Sequence, residues 1–218
     1  MNTNNPLRMF TTFSMVARCP ETSTLGICVA TAVPAVGSVV PHAEFGVGAI
    51  ATQASTNVLY GINGLKLLKM GFSPQTALEA MLKEDPEREL RQVIIIDKDG
   101  RTVAFTGKGT IDWKGHVIGE NYVVAGNMLV GRKVIETMAH TFKDSKGELS
   151  ERLMIALESG QRAGGDKRGK KSAALLVVNH QRITTRPRLD LRVDEHPEPI
   201  KELRRIYEAY KGWISSSK

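Results

Sequence analysis

Two stretches, RQVIIID at 91–97 and SAALLVV at 172–178, constrain the fold more than anything else in the chain. The first is apolar through its centre and the second at every position after Ser172, and both are too short for a helix, so each reads as a strand buried on both faces. A strand of that kind needs a packed layer above it and another below it. Yet 91–97 returns through a KDG turn into 101–106, which is a hairpin signal rather than a helical crossover.

The rest of the chain repeats this habit, with strands in hairpins and helices in pairs. TFSMVARC (12–19) and LGICVATA (25–32) flank the turn PETSTLG, and short strands are expected at 36–41 and 47–53. Helical spacing follows over 58–70 and 73–84, where Ser73 is a fitting N-cap and Pro74 a fitting first residue. Strands return at 91–97, 101–106, 116–118 and 121–126, then helices at 131–143 and 148–163. Strand 172–178 and an extended stretch to Val193 lead to a helix from about 197, with Ile200, Leu203, Ile206, Tyr207, Tyr210 and Trp213 on one side. Alternating βαβ units are disfavoured by this order. The reading that covers both faces of the apolar strands is an α+β chain: two stacked antiparallel sheets flanked by helix pairs, a four-layer αββα sandwich. No linker or repeat divides it, so a single domain over 11–218 is expected behind an N-terminal extension or propeptide-like segment, 1–10.

Charge and cysteine content narrow the function classes. Net charge is +7 over 218 residues, and much of it falls on Arg162, Lys167, Arg168, Lys170, Lys171, Arg182, Arg186, Arg188 and Arg192. No aromatic interleaving or nucleic-acid motif accompanies that cluster, so a solvated basic face is favoured over a nucleic-acid partner. No run approaches the about 18 apolar residues of a membrane span. Cys19 and Cys28, with no secretory signal, read as reduced thiols of a cytoplasmic protein. No histidine or cysteine spacing calls for a metal, and nothing calls for a cofactor.

The opening TTFSMVAR…LGICVATAV resembles the first hairpin of the N-terminal nucleophile (Ntn) hydrolases, the superfamily of the proteasome β-subunits. More closely, the chain resembles the domain-of-unknown-function family 1028, grouped with the Ntn-hydrolase-like folds. The matching stretches are TFSMVA (12–17), AVGSVVPHA (35–43), GVGAIATQASTN (46–57), YGINGLKLL (60–68), AGNML (125–129), ERLMIALESGQRAGGDKRGKKSAALLVV (151–178) and LDLRVDEHPEPIKEL (189–203). The resemblance implies an Ntn-type hydrolase of a small amide or other C–N bond. Its nucleophile falls on Thr12, with Thr11 an open alternative. A hydroxyl needs a base, and a threonine that heads its chain carries one in its own α-amine, with a pKa of roughly 7.7–8.0. Here residues 1–11 precede Thr12, so the chemistry requires cleavage at Phe10–Thr11 or Thr11–Thr12. The second strand, ICVATAV, carries no basic residue, so Arg18 or the GGDKRGK loop would have to supply the positive charge.

Further candidates are polar residues at strand ends. Gln53 and Asn127 are candidate oxyanion donors. Ser55, Asn57 and His42 are candidate substrate contacts, although helix capping accounts equally well for Thr56 or Asn57. Asp166, Arg168 and Ser172 lie in a glycine-rich loop that lacks the order and context of a phosphate-binding loop. Arg168 suits bidentate recognition of a carboxylate, and an Asp166–Arg168 structural pair is an equal reading. Two other function classes remain beside the hydrolase: a non-catalytic module binding a small metabolite or partner protein, and anion or RNA binding by the basic loop. Small-residue strand ends and the terminal helix permit a homodimer.

Overall fold

A computed structural model describes residues 12–179 and 189–216, with side chains through 213. Thr11, the leading segment 1–10, and His180, Arg182, Arg186 and Arg188 lie outside the described residues. The strands are β1 (Thr12–Arg18), β2 (Leu25–Thr31), β3 (Pro41–Glu44), β4 (Gly48–Ala54), β5 (Arg91–Asp97), β6 (Thr102–Thr106), β7 (Gly115–Gly119), β8 (Tyr122–Gly126), β9 (Ser172–Val178) and β10 (Leu189–Val193). The helices are α1 (Leu59–Lys69), α2 (Pro74–Glu84), α3 (Lys133–Asp144), α4 (Leu149–Arg162) and α5 (Pro199–Ser216).

Among the described residues, six strands form one antiparallel sheet in the order β10-β9-β2-β1-β8-β7, and four form a second, β3-β4-β5-β6. Three apolar layers hold the fold together. Side chains alternate across each strand, so one strand serves two layers. From β1, Phe13, Met15 and Ala17 join α3, α4 and α5 in one core, whereas Val16 enters the layer between the sheets. From β5, Ile94 and Ile96 face the other sheet, whereas Val93 and Ile95 face α1 and α2. The sequence is therefore satisfied as the two apolar strands demanded: two stacked antiparallel sheets between helical layers.

Local chemistry sets the element ends. Ser73 Oγ accepts the Thr76 N–H at 3.1 Å and Pro74 opens α2. Asp97 accepts the N–H groups of Asp99 and Arg101, and Gly100 takes φ +85° to close the KDG turn. Two expectations need correction. Residues 36–40 do not form the expected strand, which begins only at Pro41. Val36–Ser38 make a 3₁₀ turn after a left-handed Ala35, because the Ser172 hydroxyl captures the Val36 N–H at 3.1 Å and Val36 O receives the Val39 and Val40 N–H groups. On α5, Ile200, Leu203 and Tyr207 are buried as expected, but Trp213 is 64% exposed, because the helix runs past the edge of the core.

His42 packs on the helical side of its sheet. It pairs with Ile50, its Nε2 lies 3.2 Å from the Val39 carbonyl, and burial holds the imidazole below its usual pKa. A methyl added at Gly61 of α1 would overlap this ring. Gly61→Ala gains about 1 kcal/mol of helix propensity, but overpacking against the rigid ring costs roughly 1–3 kcal/mol. The substitution is therefore expected to destabilise the wild type and to stabilise a His42→Ala background, a sign reversal readable by urea denaturation.

Candidate functional site

The layer between the sheets changes character along its length. At one end it is lined by Leu25, Ile27, Val29, Val123, Ile94 and Ile96. Following the same faces to the other end, alternation brings Thr12 and Ser14 from β1, Thr31 from β2, Ser172 from β9, Gln53 from β4, Gln92 from β5 and Asn127 just past β8. All seven are almost completely buried. A buried polar group must be hydrogen-bonded or it costs free energy, and Ser14, Gln53, Gln92 and Asn127 bond one another across the gap. Ser14 Oγ donates to Gln53 Oε1 at 2.7 Å. Gln53 Nε2 and Asn127 Nδ2 both donate to Gln92 Oε1, at 2.7 and 3.0 Å. Gln92 Nε2 donates to the Gly126 carbonyl at 2.9 Å, the Gly115 carbonyl at 3.1 Å and Thr106 Oγ1 at 2.9 Å. Thr106 in turn meets His116 Nδ1 at 2.9 Å, at the rim. Desolvation lowers the His116 pKa.

Thr12 heads β1 at this end. Its backbone carbonyl accepts the Asn127 N–H at 3.0 Å and its cross-strand partner is Thr31. The glycine-rich loop arrives beside it. Lys171 N–H donates to Thr31 O at 2.8 Å, and the buried Asp166 carboxylate accepts the N–H of Ala32 at 3.2 Å. The same carboxylate pairs with the Arg168 guanidinium at 3.0 Å. Loop and strand end thus share one corner, where the Asp166–Arg168 ion pair sits beside the end of β2. Arg18 is not at this corner. It lies six residues along β1, roughly 20 Å away, bonded to Ser23 and Asn121. Three non-glycine residues with left-handed backbones border the polar end: Ala35, Ala54 and Met128. Ala54 follows Gln53 and Met128 follows Asn127, so each candidate amide is aimed by a strained neighbour. Strain of about 1–3 kcal/mol per residue persists only where the surroundings over-determine it.

The other candidates fall elsewhere. Ser55 lies outside the network, where its hydroxyl and carbonyl accept from Arg91 at 2.9 and 2.7 Å. Asn57 Oδ1 accepts the Leu59 N–H at 3.1 Å, so it caps the start of α1. Ser172 sits at the polar end but is engaged locally, donating to the Val33 carbonyl at 2.6 Å. His42 lies behind the four-stranded sheet, as described above. Gln92, Ser14 and Thr106 were missed in the sequence. Gln92 was detectable: it shares a face with Ile94 and Ile96, so it is a polar residue on a doubly buried strand.

Cys28 is buried and its thiol is pushed up to about 12 by desolvation; both cysteines are free. Among the described residues, no group of three or more His, Cys, Asp or Glu is placed to hold a metal, and no helix is long and apolar enough to cross a membrane.

The family described as "Family of unknown function (DUF1028)" matches residues 12–203. The chain belongs to this family. The match begins at Thr12, the residue that heads β1 at the polar end. A crystal structure from Silicibacter pomeroyi, of a protein in the same family, is 33% identical over 93% of each chain, with a TM-score of 0.85. The Anbu protein (ancestral β-subunit) from Yersinia bercovieri gives a TM-score of 0.41 at 10% identity, covering 94% of this chain and 97% of that one. No match was found among curated proteins.

Proposed function

We propose that this family member is an Ntn-type amidohydrolase that cleaves a small amide or other C–N bond, with Thr12 as nucleophile once the peptide bond before it is cut. The observation that carries this reading is that Thr12 heads a strand at the one end of the inter-sheet layer that is polar, beside Asn127 and the Asp166–Arg168 corner. The Thr12 hydroxyl attacks the substrate carbonyl, and the free α-amine takes the proton. The C–N bond breaks as the amine returns that proton to the leaving nitrogen, and water releases the acyl group. Asn127 and Gln53 each retain an amide hydrogen beyond the one given to Gln92, suiting them to a developing oxyanion. Arg168 orients an anionic group on the substrate.

One observation favours the non-catalytic module instead: the amides of Gln53, Gln92 and Asn127 already saturate much of one another's capacity. A single experiment separates the two. Protein whose chain begins at Thr12 is treated with a β-lactone and followed by intact mass and peptide mapping. The hydrolase reading expects one acyl adduct on the Thr12 peptide, absent in Thr12→Ala and in uncut protein. No adduct, together with no turnover of small amides, would leave the binding module.

A further inference from the structure

A cleft of about 740 Å³ lies at the far end of β1 from Thr12. It is bounded by the turn after β1, the α3–α4 connection, the first turn of α4 and the end of β9. We propose that it binds a small zwitterion, an α-amino acid or short peptide with both ends free, at a site separate from the Thr12 corner.

The argument starts from an ion pair that is not made. Arg152, on α4, and Glu21, in the turn, both line the cleft. Glu21 is held ionised: a hydrogen bond from the Cys19 thiol, at 3.0 Å, lowers its pKa first, its own backbone N–H next, and the Arg152 charge contributes. The two charges therefore sense each other, yet among the described residues they form no salt bridge. The guanidinium stacks over the Phe142 ring, 4.2 Å from its centroid, and gives one N–H to the Phe142 carbonyl at 3.2 Å. That leaves Arg152 Nε buried without an acceptor. On the β9 side, Asn179 Oδ1 is buried without a donor among the described residues. A buried donor and a buried acceptor that lack partners each carry a desolvation penalty, which is relieved if the two side chains turn toward the cleft and meet a ligand there.

The missing partners define the ligand. A carboxylate against Arg152 supplies the acceptor that Nε lacks, and planar guanidinium suits carboxylate geometry. An ammonium between Asn179 and Glu21 supplies the donor and balances the second charge. Lys146 and Glu148 at the rim add one charge of each sign, whereas Leu149 and Val177 give an apolar floor for a side chain. A purely anionic or purely cationic ligand would leave one of the facing charges uncompensated.

The test uses the full chain, titrated by calorimetry with alanylalanine and free alanine, and with N-acetyl-alanylalanine and alanylalanine amide as single-charge controls. Probes reach about 10 mM, enough to detect a Kd of about 1 mM. The zwitterions are expected to bind, with either capped form at least roughly tenfold weaker. Glu21→Gln, on an exposed turn, and Arg152→Gln should each weaken alanylalanine by a similar factor. Glu21→Gln alone keeps the test valid if the Arg152 variant fails to fold by circular dichroism. No binding by any probe, capped forms binding as well as the zwitterion, or Glu21→Gln leaving affinity unchanged would each overturn the proposal. None of these outcomes bears on acylation at Thr12.

Discussion

Replacing Asp85 with alanine is expected to cost about 3 kcal/mol of folding stability, the lower part of the range for breaking a buried ion pair from one side. The side chains of Asp85 and Arg91 are 9% and 8% exposed, with Arg91 Nε 2.8 Å from Asp85 Oδ2. Tyr60 donates its hydroxyl to the same carboxylate at 3.0 Å, and the Glu87 N–H donates at 2.9 Å. Alanine would strand a buried guanidinium and a buried phenol together. Arg91 keeps Glu87 and Ser55 as partners, which is why the loss stays near the bottom of the range. The check is a urea curve: with a slope of roughly 2–3 kcal/mol/M for a chain this size, the midpoint should fall by about 1 M. The pair also sets a pH dependence. Burial alone would raise the Asp85 carboxyl, but the bonds from Arg91, Glu87 and Tyr60 outweigh it and hold the pKa below the usual carboxylate range. A depressed folded-state pKa means the contribution is fully present above the unfolded value of about 3.9 and is lost as pH falls through the lower folded value. Wild type and Asp85→Ala should therefore converge in stability in acid.

Gln92→Met should cost roughly 3 kcal/mol, although it preserves volume. It removes the acceptor shared by Gln53 Nε2 and Asn127 Nδ2, and the donor serving Thr106 and the Gly126 and Gly115 carbonyls. Each buried group left unpaired costs about 1–3 kcal/mol. Replacing only Asn127, by leucine, removes one arm of the network. A double-mutant cycle between positions 92 and 127 should give a coupling above about 0.5 kcal/mol, as neighbours in one network do. A cost below about 1 kcal/mol for Gln92→Met would mean the network contributes little to holding the two sheets.

Most of the architecture was legible because burial leaves a period in the sequence. RQVIIID and SAALLVV had to be covered on both faces, and Ser73-Pro74 and the KDG turn marked ends that formed where expected. The misses share a cause. Residues 36–41 have strand-like composition, but the Ser172 hydroxyl, more than a hundred residues away, decides their conformation. Trp213 follows the helical stripe of α5, but the period cannot say where the core stops. For the candidate site, strand-end position singled out Gln53 and Asn127, and the glycine-rich loop singled out Asp166 and Arg168; that they meet at one end of the layer is visible only in the fold. That Ser55 and Asn57 turn away from it reflects a left-handed Ala54, which reverses the chain and delivers Ser55 to Arg91. Gln92 shows what is hardest to see: a single polar residue whose partners come from both sheets.

The unequal ends of the inter-sheet layer have a mechanical consequence. Directional bonds tie the sheets at the Gln92 end, whereas at the other end, among the described residues, apolar side chains fill the layer. Packing of that kind tolerates sliding, but short bonds of fixed angle do not. The sandwich should therefore breathe like a book bound along one edge, with Gln92 in the spine and the pages parting at the far margin.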